Sequence, residues 1–338
     1  MSNLALRSPQ YKAVDVSGST ILSTVLSIAL DNVPAYTIAK NKVTGVTSTV
    51  FEISELCRDY LIMQFSGNNT SRTVEIDCTF TNYTGLDGTG TVVGTPTTST
   101  DFGWEAYGAY IDGANPSNTA SRTIPTWLIA PIKSESYSIN TFEIFVPIGV
   151  SGYVAGVNST GQKLTQSFNS TDTEVSNSSL VDDVKINRIN CSKYGNGRKI
   201  VFVNKYGAQQ DLWFSLKETQ NIRRRNENYE SSTLQYDDAV PYYNTSDTPV
   251  KTFNTTAQKS YSLNSGYLPE GATEWFEQLL LSEYVWMVVY RKENPASPVT
   301  IPVRVKSSSV ELKNSVNNRL INYTIEFEDA FNYINNIR

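Results

Sequence analysis

The sequence predicts a mainly β fold, built of β-barrel or β-sandwich domains with one or two short packed helices and long polar loops. Hydrophobic residues make up 39% of the 338 residues, enough for a packed core, whereas charged residues make up only 18%. Serine, threonine, asparagine, tyrosine and valine are abundant, and β-branched and aromatic side chains fit a pleated surface better than a helical one. Several segments also alternate apolar with polar residues, the two-residue period of a strand with one buried face.

The N-terminal half contains one strand and one helix with clear spacing. Residues 72–80 (RTVEIDCTF) alternate strictly, so Val74 and every second residue to Phe80 lie on one face. Before that strand, apolar side chains recur three and four residues apart, which predicts a short amphipathic helix near residues 53–62. Ser54 is placed to cap its first turn.

Two stretches rich in glycine, serine, threonine and asparagine predict surface loop insertions at residues 84–125 and 157–179, because they supply turns and little to bury. The chain is long enough for two domains of ordinary size, although one large all-β domain would also fit. We expect a β-rich N-terminal domain over residues 1–190 that carries both loops. A C-terminal β-barrel or β-sandwich domain with one helix is expected over residues 191–338.

The C-terminal part has the strongest patterns. Residues 199–207 and 211–219 are apolar, β-type runs joined by a short link after a glycine, as in a hairpin. The polar, basic segment 221–232 that follows is predicted to be an exposed connection. In residues 271–282, aromatic and leucine side chains four residues apart predict a helix packed on the sheet.

Two more strands are predicted after that helix. Residues 284–291 (YVWMVVYR) are apolar on both faces, so we expect burial on both sides, by the helix and by another layer or another subunit. The face expected at a subunit contact carries Tyr284, Trp286, Val288 and Tyr290. A final hairpin is predicted to turn at Asn317–Asn318 and to return with alternate residues from Ile321 to Phe327 inward.

Composition excludes several kinds of chemistry. The chain has no histidine, which removes Ser-His and Cys-His nucleophile pairs and the commonest transition-metal ligand; carboxylate-only and Ser-Lys chemistry stay open. A net charge of −5 and a pI near 5.0 have the wrong sign for binding by phosphate neutralisation. The pattern contains no secretion signal or membrane span, and three cysteines fit neither a zinc site nor a disulfide scaffold. We expect no catalytic residue, cofactor, metal, membrane anchor or sequence-specific nucleic acid.

Paired carboxylates occur at Asp182–Asp183 and Asp237–Asp238, and a β-rich polysaccharide-degrading spike could use two acids. Adjacent residues on an extended strand point to opposite faces, which favours solvated loop charges instead. The DGTG run at Asp87 lacks the spaced ligands of a calcium loop and predicts a turn.

Two further groups are candidates for contacts. The only dense positive run is Arg223, Arg224 and Arg225, for which a solvated loop, a subunit contact and a nucleic-acid contact stay open. Most aromatic residues lie in core-like patterns. A sugar-stacking site would have to use residues outside those patterns, such as Trp104, Tyr107 and Tyr110.

The chain resembles, in the same order along the sequence, stretches of virion proteins from crAss-like and related short-tailed phages of Bacteroidetes. The similar blocks, which cover about half of the chain, are FEISELCRDYL, FVNKYGAQQDLWF, SYSLNSGYLPE followed by EQLLLSEYVWM, and VELKNSVNNRLINYTIEFEDAFNYINNIR. The resemblance implies a non-enzymatic structural protein of the virion tail or neck, made in the host bacterial cytoplasm: a ring, hub or fibre-connecting subunit.

The partners implied by the resemblance are copies of the chain in a cyclic ring of sixfold or twelvefold symmetry, and neighbouring tail, portal or fibre proteins. Cyclic closure would satisfy every copy equally. The alternative function is a receptor-binding or glycan-degrading tail fibre or spike protein.

Overall fold

The fold is that of a computed structural model, which describes residues 2–6, 10–61, 73–104, 126–133, 140–158, 163–180, 182–190, 197–291, 294–308 and 320–331. Its first twelve strands are β1 (Ser2–Ala5), β2 (Tyr11–Asp15), β3 (Ser23–Leu30), β4 (Val33–Asn41), β5 (Ser48–Glu52), β6 (Thr73–Tyr83), β7 (Val92–Trp104), β8 (Ile132–Lys133), β9 (Asn140–Pro147), β10 (Gly152–Val157), β11 (Lys163–Phe168) and β12 (Glu174–Val175). The others are β13 (Val184–Ile189), β14 (Arg198–Val203), β15 (Gln209–Phe214), β16 (Glu218–Glu230), β17 (Leu234–Asp237), β18 (Val240–Tyr243), β19 (Val250–Asn264), β20 (Leu268–Pro269), β21 (Val285–Arg291), β22 (Asn294–Val305), β23 (Leu320–Ile321) and β24 (Thr324–Asp329). The helices are α1 (Ser54–Tyr60) and α2 (Thr273–Leu281). The fold is mainly β with two short helices, as the sequence predicts.

The N-terminal strands form a five-stranded sheet in the order β1-β7-β6-β3-β4, and β2 pairs with β5. The alternation in β6 buries Val74 and Cys78, which share a core with Cys57 of α1. The predicted helix is therefore confirmed. Its predicted cap is wrong, because the Ser54 hydroxyl donates to the Glu52 carboxylate and makes no capping bond to the helix.

The predicted loop insertions contain strands. β7 occupies residues 92–104 of the predicted loop 84–125, because β6 pairs along its length, β1 pairs with its last four residues, and threonine suits a strand. β11 and β12 lie within the predicted loop 157–179. Of the other predicted loop residues, 105–125 and 159–162 lie outside the described ranges.

The middle of the chain has its own core. There β10 pairs with β11, and β13 runs parallel to β9 in a sheet of order β12-β13-β9-β8. Trp127 is fully buried and its indole N–H donates to the carbonyl of Asp182 over 2.7 Å. Ala130 packs instead in the C-terminal core, where it accepts a hydrogen bond from the Trp275 indole. The domain boundary near residue 190 stays a prediction.

The largest sheet has seven strands in the order β15-β14-β21-β22-β24-β19-β16. The predicted hairpin is confirmed in β14 and β15, with Gly207 at φ 75° in the link between them. Helix α2 packs on this sheet through Phe276. Tyr323, directly before the last strand, and Phe327 within that strand are buried beside it, as predicted. The predicted Asn317–Asn318 turn lies outside the described residues.

This sheet is curled, so that its two edge strands approach each other. β15 leads into β16 through residues 215–217 alone, a link that spans at most about 15 Å. The Leu216 N–H donates to the Asn264 carbonyl over 3.2 Å. Arg198 of β14 binds Glu218 of β16 through two hydrogen bonds of 2.8 and 2.9 Å. No ladder between described strands joins the two edges, so the sheet is an open, curled layer and not a closed barrel.

Strand β21 has one face in the main core and a second face against other side chains. On that second face, Val288 is 4% exposed, while Tyr284 and Trp286 are half-buried beside Val203 with their rings stacked at 6.2 Å. Val288 is therefore covered by the chain itself. The side chain of Tyr290 lies outside what the structure describes, and a subunit contact at Tyr284 and Trp286 stays a prediction.

Candidate assembly site

A long two-stranded ribbon extends from the edge of the seven-stranded sheet. β16 and β19 pair antiparallel, from Ile222 opposite Lys259 to Glu230 opposite Val250. All thirteen residues of β16 are exposed. We call residues 222–259 the arm; it consists of this part of the ribbon and the hairpin that connects its two strands.

The arm lies where the sequence predicts an exposed connection. Residues 221–230 are exposed as predicted, but they form part of strand β16 and not an irregular loop. Its residues are mostly polar, so the sequence shows no alternation of apolar and polar residues that would predict a strand. β19 supplies the backbone partners, so the ladder determines the conformation and the side chains do not.

Most of the arm lies beyond the rest of the sheet. Strand β24 pairs with β19 only from Ser260 to Asn264. Over residues 250–258, β16 is the only described strand beside β19. At about 3.4 Å per residue, the ribbon extends about 30 Å past β24. The arm is thus a projection that is exposed along β16 and at residues 250–253 of β19, and half-buried at residues 254–259 of β19.

Side-chain contacts hold the arm together internally. The Thr252 hydroxyl donates to Asn228 over 2.8 Å, and the Asn254 amide donates to Glu227 over 3.1 Å. The register shifts between these two pairs, which marks a β-bulge. Cross-strand contacts of this kind stabilise a ribbon that has no buried core of its own.

The outer end of the arm is a small hairpin with one apolar face. β17 and β18 pair around a two-residue turn, Asp238–Ala239, with positive φ at both positions (43° and 69°), as in a type I′ turn. The ladder places four apolar side chains on one face: Leu234, Tyr236, Pro241 and Tyr243. All four are exposed, Tyr236 and Tyr243 by 68% and 69%. We call this surface the tip face.

Charge is distributed unevenly along the arm. Its inner end carries Arg223, Arg224, Arg225 and Lys259. Farther out are Glu227, Glu230, Asp237, Asp238, Asp247 and Lys251. The strand period places Arg224 on one face, with Arg223 and Arg225 on the other. The inner end is therefore basic and the outer end acidic, with every arginine of the run exposed.

A buried acid lies where the arm joins the sheet. Asp329 is 3% exposed, and its Oδ1 atom has no hydrogen-bond partner among the described residues. Burial raises its pKa above the ordinary value, against the effect of a hydrogen bond from Tyr261. Burial, with a contribution from the Asp329 charge, raises the pKa of Tyr261 to about 12. Ionising Asp329 therefore costs stability at this junction.

The structure separates the other candidate residues. Asp182 and Asp183 are exposed before β13, whereas Asp237 and Asp238 lie at the turn of the tip hairpin. Asp87 lies in a 3₁₀ turn with φ 54°, which confirms the predicted turn. Three strands separate the arginine run in β16 from β21 in the sheet order, so the two predicted contact regions do not form one patch along the sheet.

Some candidates lie outside the described side chains: Trp104, Tyr107, Tyr110 and Cys191. The other two cysteines, Cys57 and Cys78, are buried thiols, and burial raises the pKa of each to about 12. Within the described ranges, no cluster of three acidic or cysteine side chains is arranged to bind a metal. Neither described helix is long and apolar enough to cross a membrane.

Sequence reasoning missed the tip face. Alternation in Leu234-Gln-Tyr236 and Pro241-Tyr-Tyr243 was a usable sign of two short strands, but the Asp-Asp-Ala link lacks the Asn-Gly or Asp-Gly turn that identifies a tight hairpin.

Comparison with known proteins found no matching family model, curated protein or solved structure.

Proposed function

We propose that this chain is a non-enzymatic structural protein of a tailed-phage virion, a self-assembling subunit of a ring or hub in the tail or neck. The observation that carries the proposal is the arm: a ribbon that extends about 30 Å from the sheet, with β16 exposed along its whole length. An ordered, exposed ribbon of this length is expected where another chain packs on it.

The physical argument concerns the energy of ordering. Fixing a residue costs about 1–2 kcal/mol of conformational entropy, and isolated two-stranded hairpins are marginal in water. The arm also exposes Tyr236, Tyr243 and Phe253, the last by 57%. Exposed apolar surface next to unpaired strand edges usually marks an interaction site. Contact with another chain would repay the ordering cost and cover both features.

The resemblance to virion proteins of crAss-like and related short-tailed phages supports the assignment of this assembly to the virion. It makes the partners copies of the chain in a cyclic ring and neighbouring tail, portal or fibre proteins, with synthesis in the host bacterial cytoplasm. The arm and this resemblance are independent observations that support the same function.

A second candidate function is receptor binding or glycan degradation at a tail fibre or spike. The observation that favours it is the tip face, because Tyr236 and Tyr243 stand exposed at the end of a projection and aromatic rings can stack on sugars. Glycan binding by the arm-bearing protein, abolished by Tyr236→Ala with Tyr242→Ala as the opposite-face control, would favour this candidate.

A reconstruction of the intact particle tests the proposal directly. We expect density for this chain as a closed ring around the tail axis. Isolated or threefold copies at fibre tips would contradict the proposal and favour the second candidate. As a biochemical control, the purified chain is expected to show no turnover of host surface polysaccharide; turnover that disappears in Asp182→Asn or in Asp237→Asn would indicate an enzyme.

A further inference from the structure

We infer that neighbouring copies pair their arms side by side, the β16 edge of one arm against the β19 edge of the next, so that a ring of copies is closed by a barrel of arms. This inference rests on the proposed assembly function and deepens it, since it commits the arm to a second copy of this chain.

The first argument is that the two edges of the arm differ from each other and that no described strand covers either of them. The outer edge of β16 pairs with no described strand, and neither does the edge of β19 over residues 250–258. Pairing β16 with β16 across a twofold axis would leave every β19 edge open. Pairing β16 with β19 uses both edges of each copy, and it leaves none open once the ring is closed.

The second argument is strand direction. Copies related by rotation about an axis that runs along the arms all point their arms the same way. Within an arm, β16 runs outward and β19 runs back, because they are antiparallel. The β16 strand of one copy and the β19 strand of its neighbour are therefore also antiparallel. The ladder between copies has the same geometry as the ladder within each copy.

The third argument is that pairing β16 with β19 avoids placing like charges opposite each other. β16 concentrates the charge of the ribbon, with Arg223, Arg224, Arg225, Glu227 and Glu230. Over residues 252–258, β19 has the sequence TFNTTAQ and no charged residue. At matched height, each arginine meets a neutral residue of the neighbour and Glu230 lies near Lys251. Two β16 edges side by side in parallel would instead oppose arginine to arginine, which costs free energy.

The first test compares the oligomeric state of the full chain with that of an arm-shortened variant. In the variant, Asn-Gly replaces residues 223–258 and connects Ile222 to Lys259, which already face each other in the ladder. By size exclusion with light scattering at about 100 µM, where micromolar contacts are occupied, we expect a discrete multiple of 37.6 kDa for the full chain. We expect a monomer for the variant, with the melting temperature that the full chain has at concentrations where it is monomeric.

The second test blocks one edge at a time with proline, which removes a backbone N–H donor. Successive N–H groups of a strand point to opposite sides. Of Arg224→Pro and Arg225→Pro, one therefore removes an N–H of β16 that points outward, away from β19, and the other removes an N–H that points inward, toward β19. The inward variant is the control for the effect of proline on the arm itself. Thr255→Pro and Thr256→Pro form the same pair of variants for β19. We expect each outward variant to be monomeric, and a mixture of the two to form a 1:1 dimer.

Three results would overturn the inference: a full chain that stays monomeric, an arm-shortened variant that keeps the wild-type oligomer, or a β19-blocked variant that dimerises alone. These results test only the pairing of the arms, whereas the particle reconstruction tests the proposed function, so the two failures are distinguishable. A ring around the tail axis whose arms do not touch would retain the function and reject the arm barrel.

Discussion

The assignment of Phe276 to the main core predicts a large loss of stability in Phe276→Ala. The ring is 0% exposed and lies 4.5 Å from Tyr323 and 6.3 Å from Phe214 between ring centroids. Removing a fully buried phenylalanine side chain and leaving a cavity costs about 3–5 kcal/mol of unfolding free energy. Unfolding entropy is about 2.1 cal/mol/K per residue, so when all 338 residues unfold as one cooperative unit the melting temperature falls by about 4–7 °C.

The matched control is the same substitution on the arm. Phe253 is 57% exposed, and its ring lies 6.1 Å from that of Tyr229. Phe253→Ala is expected to cost less than about 1 kcal/mol. Both melts would be followed by far-ultraviolet circular dichroism at a protein concentration where the wild type is monomeric. If Phe253→Ala lowers the free energy of unfolding as much as Phe276→Ala does, the assignment of Phe253 to an exposed ribbon is refuted. If Phe276→Ala lowers it by less than about 1 kcal/mol, the assignment of Phe276 to the core is refuted.

Three more predictions follow from burial and charge. Asp329→Asn is expected to raise the melting temperature at pH 8, because the buried carboxylate must be ionised there in the wild type; the difference should vanish below the ordinary aspartate pKa of 3.8, where both forms are neutral. If Asp329→Asn still raises the melting temperature at pH 3, the gain comes from packing and not from the loss of a buried charge. Cys57 and Cys78 are expected to resist a thiol reagent at pH 8 until the protein is unfolded, and rapid labelling of either in the native state would contradict their burial. Arg224→Glu is expected to leave the melting temperature of the monomer within about 1 °C while lowering oligomer formation or copy number in particles; normal incorporation would show that the arginine run makes no contact.

Regular periodicity made much of the fold predictable. The alternation from Val74 to Phe80 and from Ile321 to Phe327 identified two strands with the correct buried faces. The spacing of residues 271–282 identified α2, although its first residues form a 3₁₀ turn. In each case one face must be buried, and burial imposes the period on the sequence.

The arm was not predictable in the same way. β16 is exposed on both faces, so burial imposes no period on its residues. Its partner β19 starts twenty residues after β16 ends, beyond the reach of a local pattern. β7 escaped prediction for a related reason: its Thr-rich and Gly-containing sequence resembles a loop until β1 and β6 are placed beside it. Exposure of the arginine run was predictable from its charge alone.

The direct connection between the arm and the sheet has a mechanical consequence. β16 and β19 do not stop where the arm begins; the same strands continue into the sheet, where β19 pairs with β24 over residues 260–264 and Arg198 binds Glu218. A pull along the arm therefore acts parallel to these strands. Ladder hydrogen bonds lie across the strands, so such a load shears several of them at once and cannot open them one by one. The tip hairpin, by contrast, would open bond by bond if its two strands were drawn apart, so under tension the outer end of the arm yields before its attachment to the sheet does.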